Sequence, residues 1–140
     1  MDVRNLISMR TILLDTNFWL MPFENGLDVI SQIERLSEDS PFEIGLPQSI
    51  KAELDAMASS PLNRKRTRAA RSAIRVIEQL IGEGKIKLLA SSGPADGSLI
   101  TLALQTGAWV ATNDRALRLR LKAKKIRVII LRDDRMLAIV

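Results

Sequence analysis

Short apolar runs alternate with longer amphipathic segments along most of this 140-residue chain. The short runs are continuously apolar, which is typical of strands buried on both faces of a sheet. Between them, apolar residues recur at intervals of three and four, as on the buried face of a helix. The predicted strands are residues 11–14, 42–46, 85–90, 108–111 and 126–131, and the predicted helices are residues 28–36, 47–59, 65–81, 99–105 and 115–124.

This alternation predicts an α/β fold, a three-layer α/β/α sandwich with a central, mostly parallel, five-stranded sheet. The length suits a single domain covering residues 1–140, and no repeat or low-complexity linker divides it. Because Met9 stands just before the first predicted strand, residues 1–8 are interpreted as an N-terminal extension or an alternative start.

The composition limits which catalytic groups and metal ligands the chain can use, because it contains no cysteine and no histidine. Thiolate nucleophiles, a serine–histidine triad, and imidazole or thiolate metal ligands are therefore excluded. Catalysis must then use carboxylates, lysine, arginine, hydroxyl groups or a bound cofactor, and carboxylates favour hard cations such as Mg²⁺ and Mn²⁺. The sequence has neither an apolar stretch of membrane-spanning length nor a secretory signal, so we expect a cytoplasmic protein with no membrane partner.

Charge is distributed unevenly along the chain. Residues 1–60 contain four basic and ten acidic residues, whereas residues 61–140 contain seventeen basic and six acidic ones. Most of the basic residues lie in two segments, 63–75 and 115–127. Each segment alone is compatible with a solvated helix face, but two in one small domain favour a polyanionic partner such as nucleic acid.

Four acidic residues lie at or after the ends of predicted strands. Asp15 closes the first strand, Glu53 is on the helix after the second, Asp96 is in the loop after the third, and Asp114 follows the fourth. Ligands of open parallel sheets bind beyond the carboxyl ends of the strands. We therefore expect these carboxylates to share one edge of the sheet, where one or two divalent cations would offset their repulsion.

Simpler explanations exist for three of these acids. Asp96 and Asp114 precede helices and are suited to cap them. Glu53 is compatible with a solvated helix position, and Asp55 is a competing acid two residues away. Asp15 is harder to explain, because a carboxylate that ends a buried strand is unfavourable without a partner.

The motifs LLDTN (residues 13–17), Glu53-Leu54, Asp96 and VATND (residues 110–114) follow one another in this order. Together they resemble the PIN domain family of metal-dependent nucleases, which are related to the flap endonucleases. The resemblance spans about residues 10–131. It is greatest to archaeal PIN proteins similar to eukaryotic small-subunit rRNA-processing nucleases, and less close to VapC-type toxins of toxin–antitoxin pairs.

The resemblance implies an endoribonuclease that hydrolyses RNA by a metal-activated water, with one or two Mg²⁺ or Mn²⁺ ions. The implied metal-binding and catalytic residues are Asp15, Glu53, Asp96 and Asp114, supported by the polar side chains of Asn17, Thr112 and Asn113. The residues expected to contact RNA phosphates are Arg64, Lys65, Arg66, Arg68, Arg71, Arg115 and Arg118.

One position departs from the family pattern, because related rRNA-processing proteins often carry two consecutive acids where this chain has Asp96 and Gly97. If Gly97 occupies the ligand position, three acids remain and the site would be slow or inactive. A non-catalytic RNA-binding module is therefore one alternative to an rRNA-processing nuclease, and the resemblance to VapC-type proteins adds a second, a toxin held by an antitoxin. The partners implied are RNA, a ribosome-assembly factor or an antitoxin, and a second copy of the chain, since PIN-like proteins are commonly dimers.

Overall fold

A computed structural model describes residues 9–37, 40–133 and 135–140. The strands are β1 (Arg10–Leu14), β2 (Phe42–Pro47), β3 (Ile86–Leu89), β4 (Trp109–Ala111), β5 (Val128–Arg132) and β6 (Met136–Ile139). The helices are α1 (Thr16–Glu24), α2 (Val29–Ser37), α3 (Gln48–Ser59), α4 (Arg64–Gly82), α5 (Ala95–Thr106) and α6 (Arg115–Ala123). The extension interpreted at residues 1–8 lies outside the described residues.

The strands form one sheet in the order β3-β2-β1-β4-β5-β6. The first five are parallel to one another, and β6 is antiparallel to β5. The expected α/β fold and mostly parallel sheet are confirmed, but the sheet has six strands rather than five. The pattern missed β6 because this edge strand has four residues, of which Leu137 alone is fully buried, too few for a recognisable period.

Helix α1 is a second element that the sequence pattern did not predict. Its residues Phe18, Trp19, Leu20 and Met21 are all buried, so the helix shows a continuous apolar run and no amphipathic period. Pro22 also lies inside the helix, at a position where proline normally indicates an interruption.

Right-handed crossovers between parallel strands place α1–α4 on one face of the sheet and α5 and α6 on the other. The core is formed by the apolar strands and the inward faces of these helices. Within the part of the chain that is described, no helix is long and apolar enough to cross a membrane.

The order of the strands reverses between β1 and β4. The chain moves from β1 to β2 on one side of the sheet, and later returns to place β4 on the other side of β1. Such a reversal opens a crevice at the carboxyl ends of the two strands, where ligands of α/β folds bind. Leu14 pairs with Ala111, and the Asp15 amide donates to the Ala111 carbonyl at 2.9 Å. The residues that follow β1 and β4 are therefore neighbours.

Candidate active site

Asp15 lies at the centre of this crevice, at the end of β1 and at the N-cap of α1. Its side chain is buried, with 9% exposed. Oδ1 accepts a hydrogen bond from the Thr16 amide and Oδ2 accepts one from the Thr112 hydroxyl, each at 2.7 Å. Burial raises the pKa of Asp15, these two hydrogen bonds oppose the rise, and the nearby charges of Asp96 and Asp114 add to it. Two of the other three predicted acids, Asp96 and Asp114, therefore act electrostatically on Asp15.

Thr112 connects Asp15 to the end of β4. Its side chain is fully buried, and its hydroxyl oxygen also accepts a hydrogen bond from the Asp114 amide at 3.1 Å. One hydroxyl therefore contacts both the Asp15 carboxylate and the start of the Asp114 segment.

Asp114 is the N-cap of α6, as the simpler explanation predicted. Its Oδ1 accepts from the Leu117 amide at 3.0 Å. The same side chain lies close enough to Asp15 to raise the pKa of that carboxyl. Capping therefore does not separate Asp114 from the other acids. It fixes the position of the carboxylate beside them.

Asp96 is not an N-cap, because Pro94 holds that position at the start of α5. Asp96 instead lies in the first turn of α5, where the helix dipole favours a carboxylate. Its negative charge raises the pKa of Asp15. Gly97, by contrast, lines a hollow with Ser92 and Thr101, and a Cβ at Gly97 would meet no atom within 4 Å.

Glu53 is exposed on α3, but its carboxylate is tied to the end of β1. Oε2 of Glu53 accepts from the Thr16 hydroxyl at 3.0 Å. The competing acid Asp55 is instead paired with Lys51 at 2.9 Å. Thr16 is a site residue that the sequence pattern did not single out, and its place in the motif LLDTN is the one signal that pointed to it.

The basic residues of α4 have different surroundings in the structure. Arg66 approaches the crevice, since its Nη2 donates to Asn17 Oδ1 at 2.6 Å, and its buried Nε has no partner among the described residues. Arg71 donates from Nε to the Ala58 carbonyl at 3.0 Å, which ties it to the end of α3. The other predicted contacts of this cluster are exposed to solvent, namely Arg64, Lys65 and Arg68.

Three polar residues after β4 have different surroundings. Asn113 Oδ1 accepts from the Leu131 amide at 2.8 Å, so this side chain joins the end of β4 to β5. Arg115 and Arg118 follow Asp114 in the first turn of α6, the former exposed and the latter half-buried. Both follow Asp114 closely in the chain, but neither lowers the pKa of Asp15.

The acids of the crevice do not form a closed metal cage. Among the described residues, no group of three acidic side chains is close enough to hold a metal ion. Mg²⁺ is commonly held by only one or two protein carboxylates and keeps several water molecules. Asp15 is buried beside two further carboxylates, and no described basic side chain lowers its pKa. This set of oxygen donors fits a hydrated divalent cation.

In a comparison with known protein families, the model of the PIN-like domain matches residues 12–134 of this chain. The chain belongs to the PIN-like domain family. It is 30% identical over 127 residues to Ribonuclease VapC9 of Archaeoglobus fulgidus, a match covering 91% of this chain and 87% of VapC9.

Two solved structures share the fold of this chain. The PIN domain endonuclease Utp24 superposes with a TM-score of 0.72 at 17% identity, over 92% of this chain and 90% of Utp24. A functionally unknown domain from Methanocaldococcus jannaschii gives a TM-score of 0.63 at 18% identity, over 88% of this chain and 91% of that domain. The family resemblance seen in the sequence is confirmed.

Proposed function

We propose that this PIN-like domain is an endoribonuclease that hydrolyses RNA phosphodiester bonds with Mg²⁺ or Mn²⁺. The observation that carries the proposal is Asp15, a buried carboxylate at the strand-order reversal whose pKa is raised by burial and by two neighbouring acids. A divalent cation would offset this concentration of negative charge. The names of two matched proteins, a ribonuclease and an endonuclease, support the same class of reaction.

In this proposal Asp15, Asp96 and Asp114 hold the cation, directly or through water, and Glu53 completes the acidic set. When bound, a divalent cation supplies charge neutralisation at the phosphate and a water molecule of lowered pKa. Thr112 keeps Asp15 Oδ2 in a fixed orientation. Because the chain has no histidine, carboxylates are the groups available to accept the proton that the attacking water releases.

The basic residues around the crevice suit an RNA backbone. Arg66 lies beside Asn17, and Arg115 and Arg118 lie beside Asp114. Contacts of this kind position a strand without reading its sequence. We propose that RNA is the substrate because of the family resemblance, and that cleavage leaves a 3′-hydroxyl and a 5′-phosphate, as the resemblance implies.

The biological setting has two candidates. The resemblance of residues 110–121 to rRNA-processing relatives favours a cytoplasmic role in rRNA processing with an assembly factor as partner. The 30% identity to VapC9 favours a toxin ribonuclease held by an antitoxin. Expression of the wild-type chain and of an Asp15→Asn variant separates them. Growth arrest by wild type alone, relieved by the product of a neighbouring small gene, indicates a toxin, whereas unimpaired growth indicates a processing enzyme.

The direct test is cleavage of a 5′-labelled single-stranded RNA with Mn²⁺ and with a chelator. The wild type is expected to cleave only with the metal, and Asp15→Asn to lose more than the ~10–100-fold that follows the loss of a residue supporting a metal ligand. Asp55→Asn is the matched control, because Asp55 pairs with Lys51 and is expected to leave cleavage unchanged. Cleavage in chelator, or equal rates for the two variants, would contradict the proposal. RNA binding by wild type without cleavage would indicate a non-catalytic module.

A further inference from the structure

A second basic feature lies at the opposite edge of the sheet, where β1 and β4 begin. It is a hollow of about 400 Å³ bounded by the ends of α5 and α6 and by the first residues of the two strands. Four of its ten lining residues are basic and none is acidic. We call these four residues, Arg10, Lys124, Lys125 and Arg127, together with Trp109, the basic cleft.

The arginines of the basic cleft are held in place without being neutralised. The guanidinium carbon of Arg10 lies 4.7 Å from the centre of the Trp109 ring, and that of Arg127 lies 5.4 Å from it. Arg10 Nη1 also donates to the Gly107 carbonyl at 3.2 Å. An aromatic ring and a carbonyl attract a cation but leave its charge in place. In the described residues, none of the four basic side chains forms a salt bridge.

Helix α6 joins the basic cleft to the acidic crevice. It begins after Asp114 and ends at Ala123, directly before Lys124. Arg115, Arg118 and Lys122 are spaced three and four residues apart, so they follow one side of this helix. At ~1.5 Å per residue, the start of α6 and the basic cleft are separated by about 15 Å. The result is a line of positive charge from the acids to the basic cleft.

We propose that the basic cleft binds the phosphate backbone of the same RNA strand whose scissile bond lies at Asp15, several nucleotides away. Guanidinium and ammonium groups donate hydrogen bonds to phosphate oxygens, and the two arginines held against Trp109 lose little freedom on binding. A regularly charged polymer matches a row of cations better than an acidic protein surface, whose carboxylates follow no such line. The choice of RNA rests on the proposed function, although binding in the cleft requires no cleavage.

The test measures binding of labelled single-stranded RNA to the full chain carrying Asp15→Asn, in chelator, by fluorescence anisotropy at several salt concentrations. The cleft variant is Lys124→Gln with Lys125→Asn. Asparagine is chosen because Lys125 has a φ of 60°, which asparagine adopts more readily than most residues. The charge-matched control is Lys85→Gln with Lys87→Gln, two exposed lysines beside and on the edge strand β3.

The cleft variant is expected to weaken binding roughly tenfold at low salt. It should also reduce the slope of log K against log salt by about 1.4, since each lost phosphate contact on a single strand contributes ~0.7. The control should change neither. In a chain with Asp15 intact, the cleft variant should raise KM for a 12-nucleotide RNA and leave kcat unchanged.

The outcomes separate this inference from the proposed function. Equal affinities and salt slopes for the cleft variant and its parent would overturn the inference, and would leave an acidic protein as the candidate occupant of the basic cleft. Equal losses for the cleft variant and the control would also overturn it, because the effect would then be one of overall charge. Absence of cleavage by the wild type, with the binding loss intact, would overturn the proposed function alone.

Discussion

The Thr112 hydroxyl joins the Asp15 carboxylate to the segment that contains Asp114. It donates to Asp15 Oδ2 at 2.7 Å and accepts from the Asp114 amide at 3.1 Å, in a position with no solvent exposure. Thr112→Val preserves the volume of the side chain and removes both hydrogen bonds. Thr112→Ser preserves both bonds and removes one methyl group. The two variants therefore separate the hydroxyl from the packing.

The expected magnitudes follow from these contacts. A hydrogen bond to a charged group contributes ~1.5–3 kcal/mol, and a buried amide left without a partner costs ~1–3 kcal/mol. These two effects overlap at one residue, so we expect Thr112→Val to lower the free energy of unfolding by about 3 kcal/mol. Thr112→Ser removes one buried methyl group and should lower it by about 1 kcal/mol.

Urea unfolding of both variants at neutral pH measures this difference. The Thr112 hydrogen bond lowers the pKa of Asp15, so its loss should raise that pKa further. If ionised Asp15 is needed for cleavage, the acidic limb of the cleavage pH profile moves to higher pH in Thr112→Val and stays in place in Thr112→Ser. Equal stability of the two variants, or a shift in Thr112→Ser alone, would refute this account of the crevice.

Three further predictions concern other parts of the crevice. Folding raises the pKa of Asp15, so the free energy of unfolding of the wild type should fall as the pH rises above the ordinary aspartate pKa of 3.8. Urea titrations at several pH values should show that Asp15→Asn abolishes this part of the fall. Gly97→Ala should raise the free energy of unfolding by ~0.5–1 kcal/mol and leave cleavage unchanged, because the added Cβ meets no atom within 4 Å. Arg66→Ala should raise KM for RNA several-fold in steady-state assays, and the exposed Arg68→Ala should raise it less.

Much of the fold follows from local sequence patterns. Continuous apolar runs identified the five parallel strands, because a strand covered by helices on both faces has no polar side. The same reasoning failed for α1, where Phe18 to Met21 are buried on all sides and the helical period is lost. It also failed for β6, which has four residues with Leu137 alone fully buried, too few to show a period.

The sequence predicted where the acids lie along the fold, but it did not predict the hydrogen bonds that they form. The strand ends predicted that Asp15, Glu53, Asp96 and Asp114 share one edge of the sheet, and the charges of Asp96 and Asp114 do raise the pKa of Asp15. The bond between Thr16 and Glu53 joins residues 37 positions apart, and depends on how α3 packs beside β1. No periodicity in the sequence contains that information.

The contacts of the basic residues also could not be predicted from the sequence. Sequence clustering on α4 treated Arg66 and its neighbours alike, whereas the packing of α1 against α4 selects Arg66 for the contact with Asn17. The basic cleft unites Arg10 with Arg127, two residues from opposite ends of the chain that meet because β1 and β5 flank β4. Their shared contact with Trp109 is a product of sheet order rather than of any local motif.

The central claim, a divalent cation held at Asp15, is tested most directly by anomalous diffraction from crystals of the protein soaked in Mn²⁺. The account predicts an anomalous peak bounded by Asp15, Asp96 and Asp114, and its loss in crystals of Asp15→Asn. A crevice without anomalous density at saturating Mn²⁺, with Asp114 serving α6 as a cap alone, would contradict it.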